Sequence, residues 1–184
     1  MAMDPLAIFD LAALKAYCKV TSSEQDTVLE LIGNAASAYC EARTGWVFKR
    51  RSITERRHGD DTHRLLRLQA PLLSVTSLTI DGVALAPSEY VALASGKVLL
   101  TARSFSPGIA NVTIVYDAGY DNVATGRADV YLAALDLAKS AYDEWQNGAV
   151  SIASISVGPA TAMIRPGLNP RIEKFLDAIR DVRA

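Results

Sequence analysis

The sequence predicts an α+β fold that is mainly helical, with about four helices and one inserted small antiparallel β module. Apolar residues recur with the helical period of about 3.6 residues before residue 46 and after residue 120. Between these positions the period shortens, Ser, Thr and Val become common, and turn pairs such as Gly59-Asp60 separate short runs. Strands and helices do not alternate, which excludes a parallel βαβ sheet. We expect one domain in three segments, residues 6–45, 46–120 and 121–184.

Two helices are expected in the first segment. Asp10 is placed to cap a short helix that ends near residue 19. A longer helix follows, with Ser22 or Ser23 as its cap in the spacing of a capping box, and Gly45 ends it. Five apolar residues of this helix share one face, which we expect to be buried: Val28, Leu31, Ile32, Ala35 and Tyr39.

The middle segment contains five candidate strands. They span residues 47–57, 64–69, 75–80, 97–101 and 111–116. In the last of these, Val112, Ile114 and Tyr116 alternate with other residues, as in a strand with one buried face.

A third helix is expected over residues 125–146 and a fourth from Pro170 onward, with Asn169 as its cap. The third has the clearest apolar stripe, formed by Val130, Ala134, Leu137, Ala138, Ala141 and Trp145. The fourth places Ile172, Phe175, Leu176 and Ile179 on one face. Residues 145–164 carry no charge, so they form either an internal strand and loop or a surface that orders against a partner.

Composition excludes several classes of protein. Lys and Arg number 19 and Asp and Glu 20, a net charge of -1, which excludes attraction to nucleic acid by an overall basic field. No run approaches the roughly 20 apolar residues of a membrane span. The first residues lack the basic start of a signal peptide, so we expect synthesis in a bacterial cytoplasm. Cys18 and Cys40 lie in helical patterns without CxxC spacing and are expected to be small core residues.

One short stretch could bind a metal ion, because His58, Asp60, Asp61 and His63 lie within six residues. The same residues are also ordinary for the tip of a hairpin, and no further ligands are indicated elsewhere. The common nucleotide-binding, hydrolase and metalloprotease motifs are absent from the sequence. We therefore expect no metal, no cofactor and no enzymatic activity.

Residues 49–67, called the basic segment below, form the only strong basic cluster of the sequence. It is predicted to be a hairpin with seven cations: Lys49, Arg50, Arg51, Arg56, Arg57, Arg64 and Arg67. Such a hairpin could contact phosphates or an acidic protein surface. Alternatively it is only a solvated hairpin whose Arg stems cover apolar surface. Residues 22–44 and 121–148 are acidic, and this segregation of charge would suit head-to-side association of identical subunits.

Several local strings and their order resemble the head-tail connector proteins, also called adaptor or head-completion proteins, of tailed double-stranded DNA bacteriophages and related prophages. The resemblance covers most of the chain. Its carriers are Leu11-x-x-Leu14-Lys15-x-Tyr17, Leu31-Ile32-x-x-Ala35, Tyr39-x-Glu41-x-x-Thr44-Gly45, Leu68-x-x-Pro71-Leu72-x-Ser74-Val75-x-Ser77-Leu78-x-Ile80-Asp81-Gly82, Val112-x-Ile114-x-Tyr116-x-Ala118-Gly119-Tyr120 and Ile155-x-Val157-Gly158.

The resemblance implies a structural virion protein at the head-tail junction. Such proteins form a ring of about twelve copies under the portal vertex, and genomic DNA passes through its channel without sequence specificity. The ring joins the portal protein to the next head-completion, stopper or tail protein, and no membrane is involved. In relatives the C-terminal segment reaches toward the portal, which here implies a docking face of Arg171, Lys174, Phe175, Ile179, Arg180 and Arg183. Alternatively, Phe175 and Ile179 complete the core of the subunit.

A DNA channel must not hold DNA tightly, so acidic helices are expected to line it. The candidate channel residues are Glu24, Glu30 and Glu41 of the second helix or Asp129, Asp136 and Asp143 of the third. The basic segment would then contact a neighbouring subunit or the next ring through Arg50, Arg51, Arg56, Arg57 and Arg64. The alternative function is a nucleic-acid-binding accessory module that uses the same basic segment.

Overall fold

The chain forms two compact units in a computed structural model. The first unit combines Met1–Gly45 with Asn122–Ala184, and the second is Trp46–Asp121. The described residues are 2–59, 64–102, 104–147, 155–156, 161–162 and 170–181. Within them, none of the helices has both the length and the apolar composition that a membrane crossing requires.

The described part of the first unit contains five helices and one small strand pair. The helices are α1 (Leu11–Cys18), α2 (Asp26–Thr44), α3 (Val123–Gly126), α4 (Ala128–Gln146) and α5 (Pro170–Asp181). The single helix expected over residues 125–146 is therefore two helices, because the backbone of Arg127 is not helical (φ -146°, ψ 65°). Pro170 begins α5 as predicted, whereas its expected cap, Asn169, lies outside the described residues.

The predicted cap of α1 is confirmed and that of α2 is wrong. The Asp10 carboxylate accepts a hydrogen bond from the Ala13 amide at 2.7 Å. Helix α2 begins at Asp26 without a side-chain cap at Gln25. The side chains of Gln25 and Asp26 make tertiary contacts instead of capping the helix. The Tyr142 hydroxyl donates to Gln25, and Lys15 pairs with Asp26 at 2.5 Å. The end of α2 at Gly45 (φ +69°) is confirmed.

The buried face of α2 lies one position away from the predicted one. Of the five residues expected on that face, only Ile32 is fully buried. The observed face consists largely of small residues: Leu29, Ile32, Gly33, Ala36, Ser37, Cys40 and Thr44. They allow the N-terminal segment to approach closely, since the Ser37 hydroxyl accepts from the Ile8 amide at 3.1 Å. A Cβ atom at Gly33 would lie 2.5 Å from the Met3 side chain.

Helices α4 and α5 complete this core largely as expected. Val130, Ala134, Leu137 and Ala138 of α4 are buried, as are Ile172, Leu176 and Ile179 of α5. Cys40 is fully buried, and Cys18 is partly buried. Between α4 and α5, the short strands β8 (Ile155–Ser156) and β9 (Thr161–Ala162) pair antiparallel. Most of the uncharged stretch 145–164 lies outside the described residues.

In the described part of the second unit, the named strands pair antiparallel, and a short 3₁₀ turn spans Pro87–Glu89. The strands are β1 (Arg51–Gly59), β2 (Leu65–Arg67), β3 (Leu72–Ile80), β4 (Val83–Ala84), β5 (Tyr90–Leu93), β6 (Lys97–Leu100) and β7 (Gly108–Ala118). They form a four-stranded sheet in the order β1-β7-β3-β4 and a three-stranded sheet in the order β2-β6-β5.

The five predicted strands are present, and the sequence patterns missed β4 and β5. The described residues combine five helices with antiparallel sheets, so the α+β class is confirmed, whereas a mainly helical fold is not. Val112, Ile114 and Tyr116 are fully buried, which confirms the predicted alternation in β7. With Leu78, Val98 and other residues from both sheets, they form the hydrophobic core of this unit.

The two ends of the second unit are held together by backbone hydrogen bonds. The Tyr120 amide donates to the Phe48 carbonyl at 2.8 Å, and the Arg50 amide donates to the Tyr120 carbonyl at 3.1 Å. The Gly119 amide donates to the Pro71 carbonyl at 3.0 Å. Gly119 (φ +104°) has no room for a side chain, because a Cβ atom would lie 2.7 Å from the backbone of Lys49.

Candidate functional site

The basic segment is not a hairpin, contrary to the sequence prediction. Strand β1 pairs with β7, and β2 pairs with β6 in the other sheet. The long strand β7 pairs with β1 on one side and with β3 on the other, so the partner of β1 is β7 and not β2. Residues 60–63, the expected tip, lie outside the described residues. The cations of the basic segment are therefore divided between two sheets.

Two cations of the basic segment are engaged by nearby carboxylates. Arg50 donates through Nη1 to Asp121 at 2.8 Å and through Nη2 to Asp117 at 2.9 Å, and these hydrogen bonds raise the pKa of Arg50. Arg57 pairs with Glu55 at 2.5 Å. These pairs reduce the positive charge that Arg50 and β1 present to a phosphate backbone.

The remaining candidates of the basic segment differ in exposure. Arg56 and Arg64 are exposed, whereas Arg51 is half-buried. Arg56 adjoins Arg57 near the end of β1, and Arg64 directly precedes β2. The side chains that best present free surface for a partner are thus those of Arg56 and Arg64.

A buried hydroxyl fixes the inner side of β1. The Tyr116 hydroxyl donates to Glu55 and accepts from the Gln69 amide at 3.2 Å. Burial, with the hydrogen bond to Glu55, raises the pKa of Tyr116. Glu55 thus links the paired strands β1 and β7 and also holds Arg57. This network joins β1 to β7 and to the segment before β3, and no sequence pattern indicates it beyond the inward position of Tyr116.

His58 has a structural partner as well. Its Nδ1 atom accepts a hydrogen bond from the Ala110 amide at 3.1 Å. No group of three or more metal-ligating side chains occurs among the described residues. The other members of the predicted metal stretch, Asp60, Asp61 and His63, lie outside them.

Asn111 organises the end of β7, a role that its sequence context does not reveal. Its Oδ1 atom accepts from the Gly59 amide at 2.9 Å, and its Nδ2 atom donates to Asp81 and to the Ser106 carbonyl, both at 3.0 Å. Gly59 is required here, because a Cβ atom would lie 1.9 Å from the Ser106 carbonyl oxygen. One amide side chain thus joins β1, β7 and the turn after β3.

Helix α5 has a buried face and a charged face. Ile179, expected on the docking face, is only 8% exposed and belongs to the core with Ile172 and Leu176. Phe175 is partly buried. The exposed residues of the predicted docking face are the cations Arg171, Lys174 and Arg180, while Arg183 lies outside the described residues.

An ion pair joins α5 to α2. Arg43 approaches Asp177 through Nη2 and Nε, each at 2.8 Å from a carboxylate oxygen. The hydrogen bond from Arg43 lowers the pKa of Asp177. The two residues are 134 positions apart in the sequence, so neither helical pattern alone could reveal the pair.

The candidate channel acids of α4 are each held by a donor. Arg127 pairs with Asp129 at 2.9 Å, and Lys139 pairs with Asp143 at 2.7 Å. The Tyr17 hydroxyl donates to Asp136, which raises the pKa of Tyr17 to about 12. The other set of candidate channel acids belongs to α2 and the residues before it. Glu24 is exposed just before α2, and Glu30 and Glu41 are half-buried on the helix.

Comparison with known proteins identifies the family. Residues 7–179 match the model of the head completion protein family. The chain belongs to this family. The matched range begins before α1 and ends within α5, so both units of this head completion protein are part of the family's sequence pattern. The resemblance inferred from the sequence strings is confirmed.

Solved structures share the fold of this head completion protein. A chain from the neck of an empty gene transfer agent (GTA) particle, computed with C6 symmetry, superposes with a TM-score of 0.65 at 15% identity, covering 92% of this chain and 98% of the other. A chain from the virion of a native GTA particle gives 0.61 at 16% identity, covering 92% and 97%. A chain from the neck of a native GTA particle, computed with C12 symmetry, gives 0.59 at 18% identity, covering 92% and 100%. Comparison with curated proteins gives no match.

Proposed function

We propose that this head completion protein is a structural component of the head-tail junction of a phage-like particle. Copies of the chain form a ring that extends the portal channel and joins it to the next head-completion or tail protein. The observation that carries this proposal is the family match over residues 7–179. The shared fold with neck chains of GTA particles, over 92% of this chain, supports it. The role is architectural and requires no catalysis.

In this proposal α2 lines the channel. The candidate acids are Glu30 and Glu41 on this helix and Glu24 just before it, which would repel the DNA backbone. The acids of α4 fit the channel less well, because Arg127, Lys139 and the Tyr17 hydroxyl already hold them. Substituting Glu24 and Glu30 by Lys should therefore slow DNA release from assembled particles, whereas Asp143→Asn should not.

Docking on the portal is assigned to the charged face of α5. Arg171, Lys174 and Arg180 are exposed there, and the apolar residues of the same helix face the core. Contact with an acidic portal surface would then be electrostatic and would weaken with salt. Arg56 and Arg64 remain available for a neighbouring subunit or the next ring.

The assembly state tests the ring. The mass of the purified chain is measured by light scattering over a wide range of concentration, and the chain is also added to portal-bearing heads that lack it. The expected result is an assembly of about 236 kDa, twelve times the 19.7 kDa chain, in solution or on the heads. A single-chain mass in solution together with no binding to the heads would refute the proposal.

The same preparation distinguishes the alternative, a nucleic-acid-binding module. That function predicts retention on double-stranded DNA that weakens steeply with salt and is lost after Arg56→Glu and Arg57→Glu. The ion pairs of Arg50 and Arg57 argue against strong retention. We expect these two substitutions to leave DNA retention at its low wild-type level.

A further inference from the structure

The outer face of the three-stranded sheet carries an aligned row of exposed aliphatic side chains. In the register of this sheet, Leu65 lies opposite Leu99, and Leu99 lies opposite Val91. Their neighbours along the strands, Leu66 and Val98, point to the opposite face and are buried. The three side chains of the row are between 39% and 47% exposed. An aligned apolar row on a solvent-facing sheet is a candidate surface for contact with a partner.

Cations border this row on one side. Two residues further along each strand, Arg67 lies opposite Lys97, and Lys97 lies opposite Leu93. Leu93 is also exposed and extends the apolar surface. Among the described residues, neither Arg67 nor Lys97 takes part in an ion pair. The sheet therefore presents aliphatic side chains next to two available positive charges.

A surface of matching chemistry exists on the first unit. Leu132 of α4 is 50% exposed, and Asp129 and Asp136 lie about one helical turn away on either side of it. These residues line an open groove between α4 and α5, with a volume of about 280 Å³. Phe175 contributes a partly buried ring to the groove, and Arg171 also lines it. Within the first unit, Asp129 is paired with Arg127, and Asp136 accepts a hydrogen bond from the Tyr17 hydroxyl and carries no ion pair among the described residues. The groove thus combines apolar side chains with two carboxylates, of which Asp136 is held only by a neutral hydroxyl.

We propose that the outer face of the β2-β6-β5 sheet of one copy packs into the α4–α5 groove of a second copy of this chain. The row of Leu65, Leu99 and Val91 covers Leu132 and Phe175, and Arg67 and Lys97 lie near Asp129 and Asp136. Because the two surfaces differ, each copy offers both, and the contact repeats from copy to copy until a ring closes. This inference rests on the proposed ring and names the surfaces that build it.

Charge favours a second copy over DNA as the occupant. By sequence the second unit has nine basic and seven acidic residues, and the first has ten basic and thirteen acidic. The two units of different copies therefore attract each other at long range. A phosphate backbone would leave the apolar row exposed, since its contacts are made by polar and charged groups.

A charge swap tests the pairing. Leu99→Glu places a carboxylate opposite Asp129 and Asp136, and Leu132→Lys places an ammonium opposite Arg67 and Lys97. Each substitution alone should weaken assembly at least about tenfold, because it buries an unpaired charge among like charges. The double variant brings Glu and Lys together across the contact and should recover assembly to within about threefold of wild type.

The control is Val83→Glu, which substitutes a 66% exposed aliphatic residue of the same unit outside the row. It should assemble like wild type, and circular dichroism confirms folding of every variant. Val91→Glu serves as a second variant of the row should Leu99→Glu fail to fold. Mass in solution and binding to portal-bearing heads are measured for all chains.

The outcomes separate the inference from the ring proposal. A wild-type ring that neither Leu99→Glu nor Leu132→Lys weakens, or a double variant no better than the single ones, overturns the surface assignment and leaves the ring intact. A wild-type chain that assembles neither in solution nor on heads overturns both. Loss in each single variant with recovery in the double variant supports the pairing.

Discussion

The buried side chain of Leu176 is predicted to hold α5 in the first unit. It is fully buried, and Ile172 and Ile179, about one turn away on either side, are buried with it. Leu176→Ala removes three carbon atoms, worth about 2.4 kcal/mol of lost transfer free energy. Because the neighbouring side chains are already packed, the cavity persists, and the total loss should reach about 3–5 kcal/mol. The free energy of unfolding should fall by this amount.

The measurement is urea unfolding followed by tryptophan fluorescence. The chain has two tryptophans, so Trp46→Phe leaves Trp145 of α4 as a reporter of the first unit. Trp145 stacks on Tyr142 with ring centroids 5.9 Å apart, which makes its emission sensitive to packing there. Lys174→Ala, on the exposed side of the same helix, is the matched control and should change the free energy by less than about 0.5 kcal/mol. A loss below about 1 kcal/mol for Leu176→Ala would refute a packed α5.

Three further predictions concern other parts of the molecule. Asn111→Ala removes the acceptor of the Gly59 amide and two donated hydrogen bonds, so the second unit should lose about 1–3 kcal/mol, measured by thermal unfolding against Val83→Ala. Because Arg43 lowers the pKa of Asp177, this pair stabilises the fold above the unfolded pKa of about 3.9 and ceases to do so as pH falls through the lower folded value. The stability difference between wild type and Asp177→Asn should therefore be constant above about pH 5 and shrink toward pH 2, and a difference that grows on acidification would contradict the assignment. Burial raises the pKa of the Cys40 thiol to about 12, so a thiol reagent at pH 8 should leave Cys40 unmodified until urea unfolds the chain, as peptide mass mapping would reveal.

Local patterns predicted most of the secondary structure because the signals involved are short-ranged. The Asp10 cap, the left-handed Gly45 and the first-turn Pro170 each depend on residues within four positions. The alternation of Val112, Ile114 and Tyr116 likewise requires only one strand. Such features follow from backbone geometry whatever the tertiary context.

Pairing between distant segments could not be predicted in the same way. The basic segment looks like a hairpin because two strand patterns flank a turn-like tip, but β1 pairs with β7 about 60 positions away. The face of α2 was misplaced because small residues, Gly33, Ala36 and Ser37, carry little hydropathy and yet allow the closest packing. The burial of Ile179 was left open for a related reason, since an amphipathic pattern does not reveal whether its apolar side faces the same chain or a partner.

The hydrogen bonds that join Phe48, Arg50 and Tyr120 bear on whether the two units of this protein can be produced separately. They bring the first and last residues of the Trp46–Asp121 unit side by side. The unit is therefore an insertion in the helical unit, and its two ends are adjacent. Modules with adjacent ends tolerate transplantation and excision, because a short peptide bridges the gap left behind. We therefore expect that the β unit can be excised as one piece, which would allow each surface of the proposed ring contact to be supplied by a separate polypeptide.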